Sequence, residues 1–191
     1  MEKQNKHIII SITGASGSIY AKLLLEHLNN LPIKQKPEIS VILSETGKKV
    51  AEHELGVTFL SSITNKIYNI NDFNAPFASG SSVADAMVVV PCSMGTLGRI
   101  AHGTSDNLIC RAADVILKER KKLILVTRET PLNFIHIKNM ETICHAGGII
   151  LPANPSFYLQ PKNIEDVCMT VVHRIVDILD IYHETKRWAS E

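Results

Sequence analysis

The chain has 191 residues, 45% of them hydrophobic and 20% charged, a balance that suits one domain, 1–191, with a full-sized core. Its net charge is +1, and it has neither a basic block nor a ladder of aromatic residues, so no nucleic-acid partner is implied. The charged start, MEKQNKH, precedes an apolar run too short for a signal peptide or a membrane span, and a cytoplasmic setting is expected.

Residues 7–13 read as a buried strand, which stops at Gly14-Ala15-Ser16-Gly17. Ala21, Leu24, Leu25 and Leu28 then recur at helical spacing and predict a helix over 18–29. Strand, tight turn and helix aim free N–H groups and a positive dipole end above the strand, where a phosphate is the natural occupant. An ordinary ligand-free turn is the other reading, because G-x-x-G falls short of G-x-G-x-x-G. Residues 31–37 form a loop, 39–43 a second strand ending at Ser44, and 45–55 a second helix. A short helix and a short strand are expected within 57–70, and NDFNAPFASGSS, 71–82, has loop composition.

Residues 86–90 are the clearest buried strand, closed by Pro91-Cys92-Ser93, with a short helix within 93–103. Thr104, Ser105 and Asp106 offer N-caps for a helix over 107–121, whose apolar face is Leu108, Ile109, Ala112, Ala113 and Ile116. A strand at 123–126 runs into Thr127-Arg128-Glu129, and a helix follows over 134–146. A strand at 149–151 and a helix over 164–180 complete the set, before a polar tail holding Trp188. Apolar strands each followed by a helix imply an α/β fold: one three-layer, Rossmann-like (flavodoxin-like) domain with a parallel sheet flanked by helices.

Ligands of such sheets sit beyond the carboxyl ends of the strands. Those ends carry Gly14 to Gly17, Ser44, then Ser93-Met94-Gly95-Thr96, then Arg128-Glu129, then Pro152 with Phe157-Tyr158. Hydroxyls, an arginine, a glutamate and a tyrosine on one edge suit a ligand with phosphate and a flat polar ring. Arg111 and Lys118 share one side of a helix, as solvated charges or as anion ligands. Arg174 falls in a row with Val167, Val171 and Ile178, where a buried cation needs an intersubunit carboxylate or an anion. Each other candidate has a plain alternative: Tyr158 packing under the last strand, Glu129 capping a loop, Glu54 on a helix surface. The four cysteines are scattered without C-x-x-C and are expected reduced, Cys92 not being a nucleophile. The eight histidines show no metal-ligand spacing, and no metal is expected.

TGASGSIY, NAPFASGSS, PCSMGTL, DNLICRAADVILKER, TRETPLNFIHIKNM and NPSFYLQP together resemble the UbiX-type flavin prenyltransferases. The match runs in order from about residue 8 onward, and its long LKER to FY pattern is specific. The resemblance implies a metal-independent transferase that joins the prenyl group of dimethylallyl phosphate to N5 and C6 of reduced FMN. It also implies a dodecamer built from trimers and delivery of prenylated FMN to UbiD-type decarboxylases, in ubiquinone synthesis or aromatic-acid decarboxylation. Older usage calls such proteins 3-octaprenyl-4-hydroxybenzoate carboxy-lyases. Carried over by position, Gly14, Ala15, Ser16, Ser44, Ser93, Met94, Gly95, Thr96 and Arg128 are expected to hold FMN. Lys118, Glu129, Tyr158 and Arg174 match the dimethylallyl phosphate pocket, with Ser16, Glu54, Lys118 and Glu129 expected in catalysis. The loop Ser79-Gly80-Ser81-Ser82 resembles one that completes the pocket near a subunit interface. Glu45, where relatives often carry lysine, and KERK in place of KERR are departures that touch surface charge. Two rivals remain: an FMN-dependent cysteine-type decarboxylase, whose P-x-M-N-x-x-M-W loop is missing here, and a non-catalytic FMN carrier. A nicotinamide dehydrogenase lacks support, since the full glycine motif is absent.

Overall fold

The structure is a computed structural model that describes residues 5–81 and 84–183. Ser82 and Trp188 therefore lie outside the described residues. Six parallel strands form the sheet: β1 (His7–Ile12), β2 (Glu38–Leu43), β3 (Lys66–Tyr68), β4 (Ala86–Cys92), β5 (Lys122–Thr127) and β6 (Ile149–Ile150). Their order is β3-β2-β1-β4-β5-β6. Without the three-residue edge strand β3 this is the flavodoxin-like 2-1-3-4-5 arrangement, and with it the Rossmann 3-2-1-4-5-6. In both, the chain order reverses between β1 and β4, which opens a crevice above their carboxyl ends.

The strands alternate between two cores. Ile8, Ile10 and Ile12 of β1 face one side, where α1 (Ser18–Asn29) and α7 (Ile164–Ile178) pack with Leu24, Leu28, Val172 and Ile175. Ile9, Met87 and Val89 face the other, under α4 (Met94–Ala101), α5 (Leu108–Lys118) and α6 (Phe134–His145). Leu24 and Leu28 are fully buried, and each contributes about 2 kcal/mol by leaving water. Helices α1 and α2 (Glu45–Leu55) have the bounds that the sequence predicts, and the 57–70 stretch divides into α3 (Thr58–Ser62) and β3. Helix α5 is capped by Asn107, whose Oδ1 accepts from the Cys110 amide, instead of by Thr104, Ser105 or Asp106. Asn107 keeps extended backbone while its side chain turns back over the first turn, the geometry a cap needs.

Beyond the α7 terminus the chain folds back so that Ile181 and His183 are buried against the helix pair. His27 of α1, His173 of α7 and His183 form one cluster, with ring centroids 5.3, 5.3 and 5.7 Å apart. Asp177 faces it, its Oδ1 3.2 Å from His183 Nε2. Burial, then the His183 charge, lowers the pKa of both His27 and His173, the latter to about 4. A histidine whose folded pKa lies below its unfolded one takes up protons on unfolding. Stability is therefore expected to fall as the pH drops from about 6.5 to about 4, because His27 and His173 of this cluster take up protons on unfolding. Urea unfolding followed across that range checks this, and His173→Asn is expected to flatten the profile.

Candidate active site

Hydrogen bonds between neighbouring strand ends build the site. The Thr13 hydroxyl donates to the Pro91 carbonyl at 2.7 Å and accepts from the Ser93 amide at 2.9 Å. The Ser44 amide donates to the Ile12 carbonyl, and the Arg128 amide to that of Cys92. Arg128 Nε then reaches across to the Ser16 carbonyl at 3.0 Å. The segments 14–17, 44 and 93–96 and Arg128 are thus held side by side, as the sequence predicts. Met94 buries its side chain in the core, so what it can offer a ligand is backbone.

The turn itself differs from expectation. Gly17 sits at φ 113°, a left-handed geometry that favours glycine, and it gives α1 no side-chain cap. A carboxylate from α2 fills that role. Glu54 accepts from the Gly17 amide at 3.0 and 3.1 Å and from the Ser18 amide at 2.8 Å. Burial alone would raise the Glu54 carboxyl; hydrogen bonds from the Ser16 hydroxyl and the Ser18 and Gly17 amides outweigh it and hold the group below its ordinary value. The α1 terminus, where a phosphate was expected, thus already holds an internal anion. Glu54 is exposed, as its helix pattern suggests, yet it is anchored by this network. Gly14 has a packing reason as well, since a Cβ there would overlap the Thr46 side chain.

A cleft of about 300 Å³ opens next to this turn, lined by Gly14, Ser44, Thr46, Ser93, Thr96 and Asn107 among others. Three of these are N-caps. Ser44 caps α2 through the Gly47 amide, Ser93 caps α4 through the Thr96 amide, and Asn107 caps α5. Three positive helix ends therefore converge on one space, which suits a phosphate with a hydroxylated arm. Sequence reading missed Thr13, Thr46 and Asn107. Their local patterns are ordinary, and only the strand order brings them together.

The remaining candidates separate into two places. Arg128, Glu129 and Tyr158 stand at the carboxyl edge. Glu129 caps its own loop through the Thr130 amide at 3.0 Å, and Tyr158 is 52% exposed, so it does not pack under the last strand. Lys118 is elsewhere. Helix α5 runs eleven residues from the cleft toward the amino edge, a rise of about 16 Å, and Lys118 ends it just before β5 begins. There its ammonium meets Glu119 at 2.6 Å and lies against Gly80, while Arg111 Nε donates to the Ala78 carbonyl. The loop Ser79-Gly80-Ser81 thus lies along the cationic side of α5. Arg174 lies ten residues into α7, whose end receives the Lys122 ammonium from the start of β5. Its side chain is 67% exposed and 3.9 Å from Asp177. The expected apolar row around Arg174 is not formed: the buried stripe runs through Cys168, Val171, Val172, Ile175 and Val176, and Arg174 points away from it.

Cys92, Cys110 and Cys168 are buried, Cys144 is exposed, and none is paired. Burial pushes the Cys92 thiol far up, which leaves it no nucleophilic role. Among the described residues, no group of three or more His, Cys, Asp or Glu could hold a metal ion. No described helix is long and apolar enough to cross a membrane.

A parallel sheet with an anion-suited cleft at its switch point defines an α/β protein built for a phosphorylated ligand. The profile of the family described as Flavoprotein matches residues 1–186. A flavin prenyltransferase UbiX of Methanocaldococcus jannaschii is 47% identical over 186 residues, covering 96% of this chain and 98% of its own. The crystal structure of AnUbiX (PadA1), titled as a complex with FMN and dimethylallyl pyrophosphate, superposes with TM-score 0.88 at 37% identity, over 97% and 100% of the two chains. A structure titled as a dodecameric FMN-dependent UbiX-like decarboxylase from Escherichia coli O157:H7 gives TM-score 0.89 at 36% identity, over 96% and 100%. The chain belongs to the flavoprotein family, within its UbiX-type flavin prenyltransferases.

Proposed function

We propose that this chain transfers the dimethylallyl group of dimethylallyl phosphate to N5 and C6 of reduced FMN, without a metal, and supplies the product to UbiD-type decarboxylases. One observation carries the FMN half of this reading: three helix N-caps and the Arg128–Ser16 bridge converge at the switch point of a flavoprotein sheet. Ser44, Ser93 and Thr96 would hold a phosphate and ribityl arm in this cleft, and Ala15, Ser16 and Arg128 would hold the ring. Reduced flavin supplies the nucleophilic N5 and the aromatic edge on which the new ring closes.

The protein supplies charge and proton positions. Breaking the C–O bond builds negative charge on the leaving phosphate. Lys118, Arg174 and the Tyr158 hydroxyl bind that charge more tightly as it develops, which lowers the barrier. The Ser16 hydroxyl donates to the Glu54 carboxylate, which would place this pair beside the flavin edge, and Glu54, Glu129 or the released phosphate would take up the proton freed at ring closure. Glu129 stands beside Arg128 as the second of these groups.

Lys118 and Arg174 lie toward the amino edge, away from their own chain's flavin turn. We infer that they serve the flavin site of a neighbouring copy. Leu132, Phe134, Ile135 and Ile137, which follow Glu129 in the chain, and Phe157, next to Tyr158, are 46% to 70% exposed, apolar side chains of the kind that subunits cover. A dodecamer, as in the Escherichia coli relative, would close these sites. A cytoplasmic setting goes with this reading.

The test is anaerobic: purified protein, reduced FMN and dimethylallyl phosphate without metal, then mass spectrometry of the released flavin. A flavin heavier by one five-carbon prenyl unit is expected. The diphosphate is run in parallel, because the AnUbiX structure is a complex with dimethylallyl pyrophosphate. Unchanged FMN with both donors, in a folded and flavin-loaded protein, would overturn the transferase reading in favour of the carrier.

A further inference from the structure

Arg99 has no part in the roles above, yet it lines the same cleft as Ser44, Ser93 and Thr96. It lies one turn beyond the α4 N-cap segment. One guanidinium nitrogen donates to the Gly95 carbonyl at 3.3 Å, and Nε lies 3.4 Å from Asp106 Oδ2. Asp106 in turn accepts from the Asn107 side chain at 2.8 Å, the residue that caps α5. The guanidinium is therefore tied to two of the three helices whose N-termini enter the cleft, α4 and α5.

An exposed pair such as Arg99–Asp106 contributes little stability by itself. Its placement is what stands out. Among the described residues lining the cleft, Arg99 is the cation, set among three positive helix ends, and Glu45 is the exposed carboxylate opposite in sign. Like-signed ends converging on one space call for an anion. A planar guanidinium with free N–H donors matches two phosphate oxygens at once. The α1 terminus cannot compete for that anion, because Glu54 already occupies it.

We propose that Arg99 is the cation that selects the phosphorylated flavin over its dephosphorylated form, with Asp106 and the Gly95 carbonyl setting its orientation. This rests on the reading that the chain binds FMN. Neither ring chemistry nor the prenyl donor involves Arg99, so its effect belongs to flavin binding alone.

The experiment measures the affinities of oxidised FMN and riboflavin for the full chain by flavin fluorescence, in wild type, Arg99→Gln and Arg99→Lys. Arg99 is half exposed, so both variants are expected to fold, with unchanged circular dichroism and assembly size. The expected result for Arg99→Gln is at least ten-fold weaker FMN binding and riboflavin binding within two-fold of wild type. Arg99→Lys recovers part of the FMN affinity, since it keeps the charge and loses the planar fork. An FMN-to-riboflavin preference equal to that of wild type would overturn the proposal, whether both affinities hold or both fall. Failure of the wild-type chain to bind FMN would overturn the flavin reading and this proposal with it.

Discussion

Lys118→Ala is expected to lower the rate of prenyl transfer by about 10²- to 10³-fold while leaving FMN affinity within about two-fold, the size of loss seen when a donor to developing charge is removed. The selectivity follows from position. Lys118 ends α5 at the amino edge, about 16 Å along the helix from the cleft its own chain offers to flavin. Single-turnover kinetics with flavin preloaded would measure it. A co-assembly experiment separates the two possible geometries. Lys118→Ala chains mixed equally with Arg128→Ala chains regain about a quarter of wild-type activity if each site draws on two subunits, because half the flavin faces and half the lysine faces remain intact. If one chain supplied both halves, the mixture would stay as inactive as either parent. Normal turnover by Lys118→Ala would remove Lys118 from the chemistry altogether.

The largest effect on stability is expected at Gly47. This residue is buried in the first turn of α2, where its amide donates to Ser44 Oγ at 2.9 Å. A Cβ there would lie 2.5 Å from the Ile12 carbonyl oxygen and 3.0 Å from its carbon. That obstacle is the backbone of β1, pinned at the same carbonyl by the Ser44 amide, and it cannot swing aside as a side chain does. Gly47→Ala is expected to cost about 3 kcal/mol and lower Tm by about 9 °C for a domain of this size. It would also loosen Ser44 and hence flavin binding. Gly95→Ala is the control, since its Cβ meets only the Arg99 guanidinium, at 3.5 Å. A Tm unchanged in both variants would show that α2 can shift over the end of β1.

Periodicity carries a long way in this chain. The apolar runs of β1, β4 and β5 and the Ala21-Leu24-Leu25-Leu28 stripe of α1 are local features, so the sequence shows them directly. The strand-end segments follow from the same reading, because a parallel sheet places them on one edge. Other features depend on contacts between residues far apart. Glu54 caps a helix that begins 36 positions earlier, and nothing near Glu54 announces it. Arg174 shows the opposite error. Helical spacing placed it in a row with Val167, Val171 and Ile178, but α7 turns its Cys168–Val172–Ile175 side to the sheet. Asn107 was one place beyond three residues equally able to cap, and backbone geometry chose among them.

The carboxylate at the head of α1 has a consequence for turnover. Many nucleotide-binding turns take their shape from the ligand and slacken without it. Here Glu54 supplies the negative charge that the helix end needs, so the chain itself, and not the ligand, sets the shape of the turn. Binding then need not order the protein, and letting go need not unravel it. On the proposed reading, in which the product passes on to a decarboxylase, the protein must surrender what it has made. A site whose turn is shaped by its own carboxylate can hand over its cargo and load again.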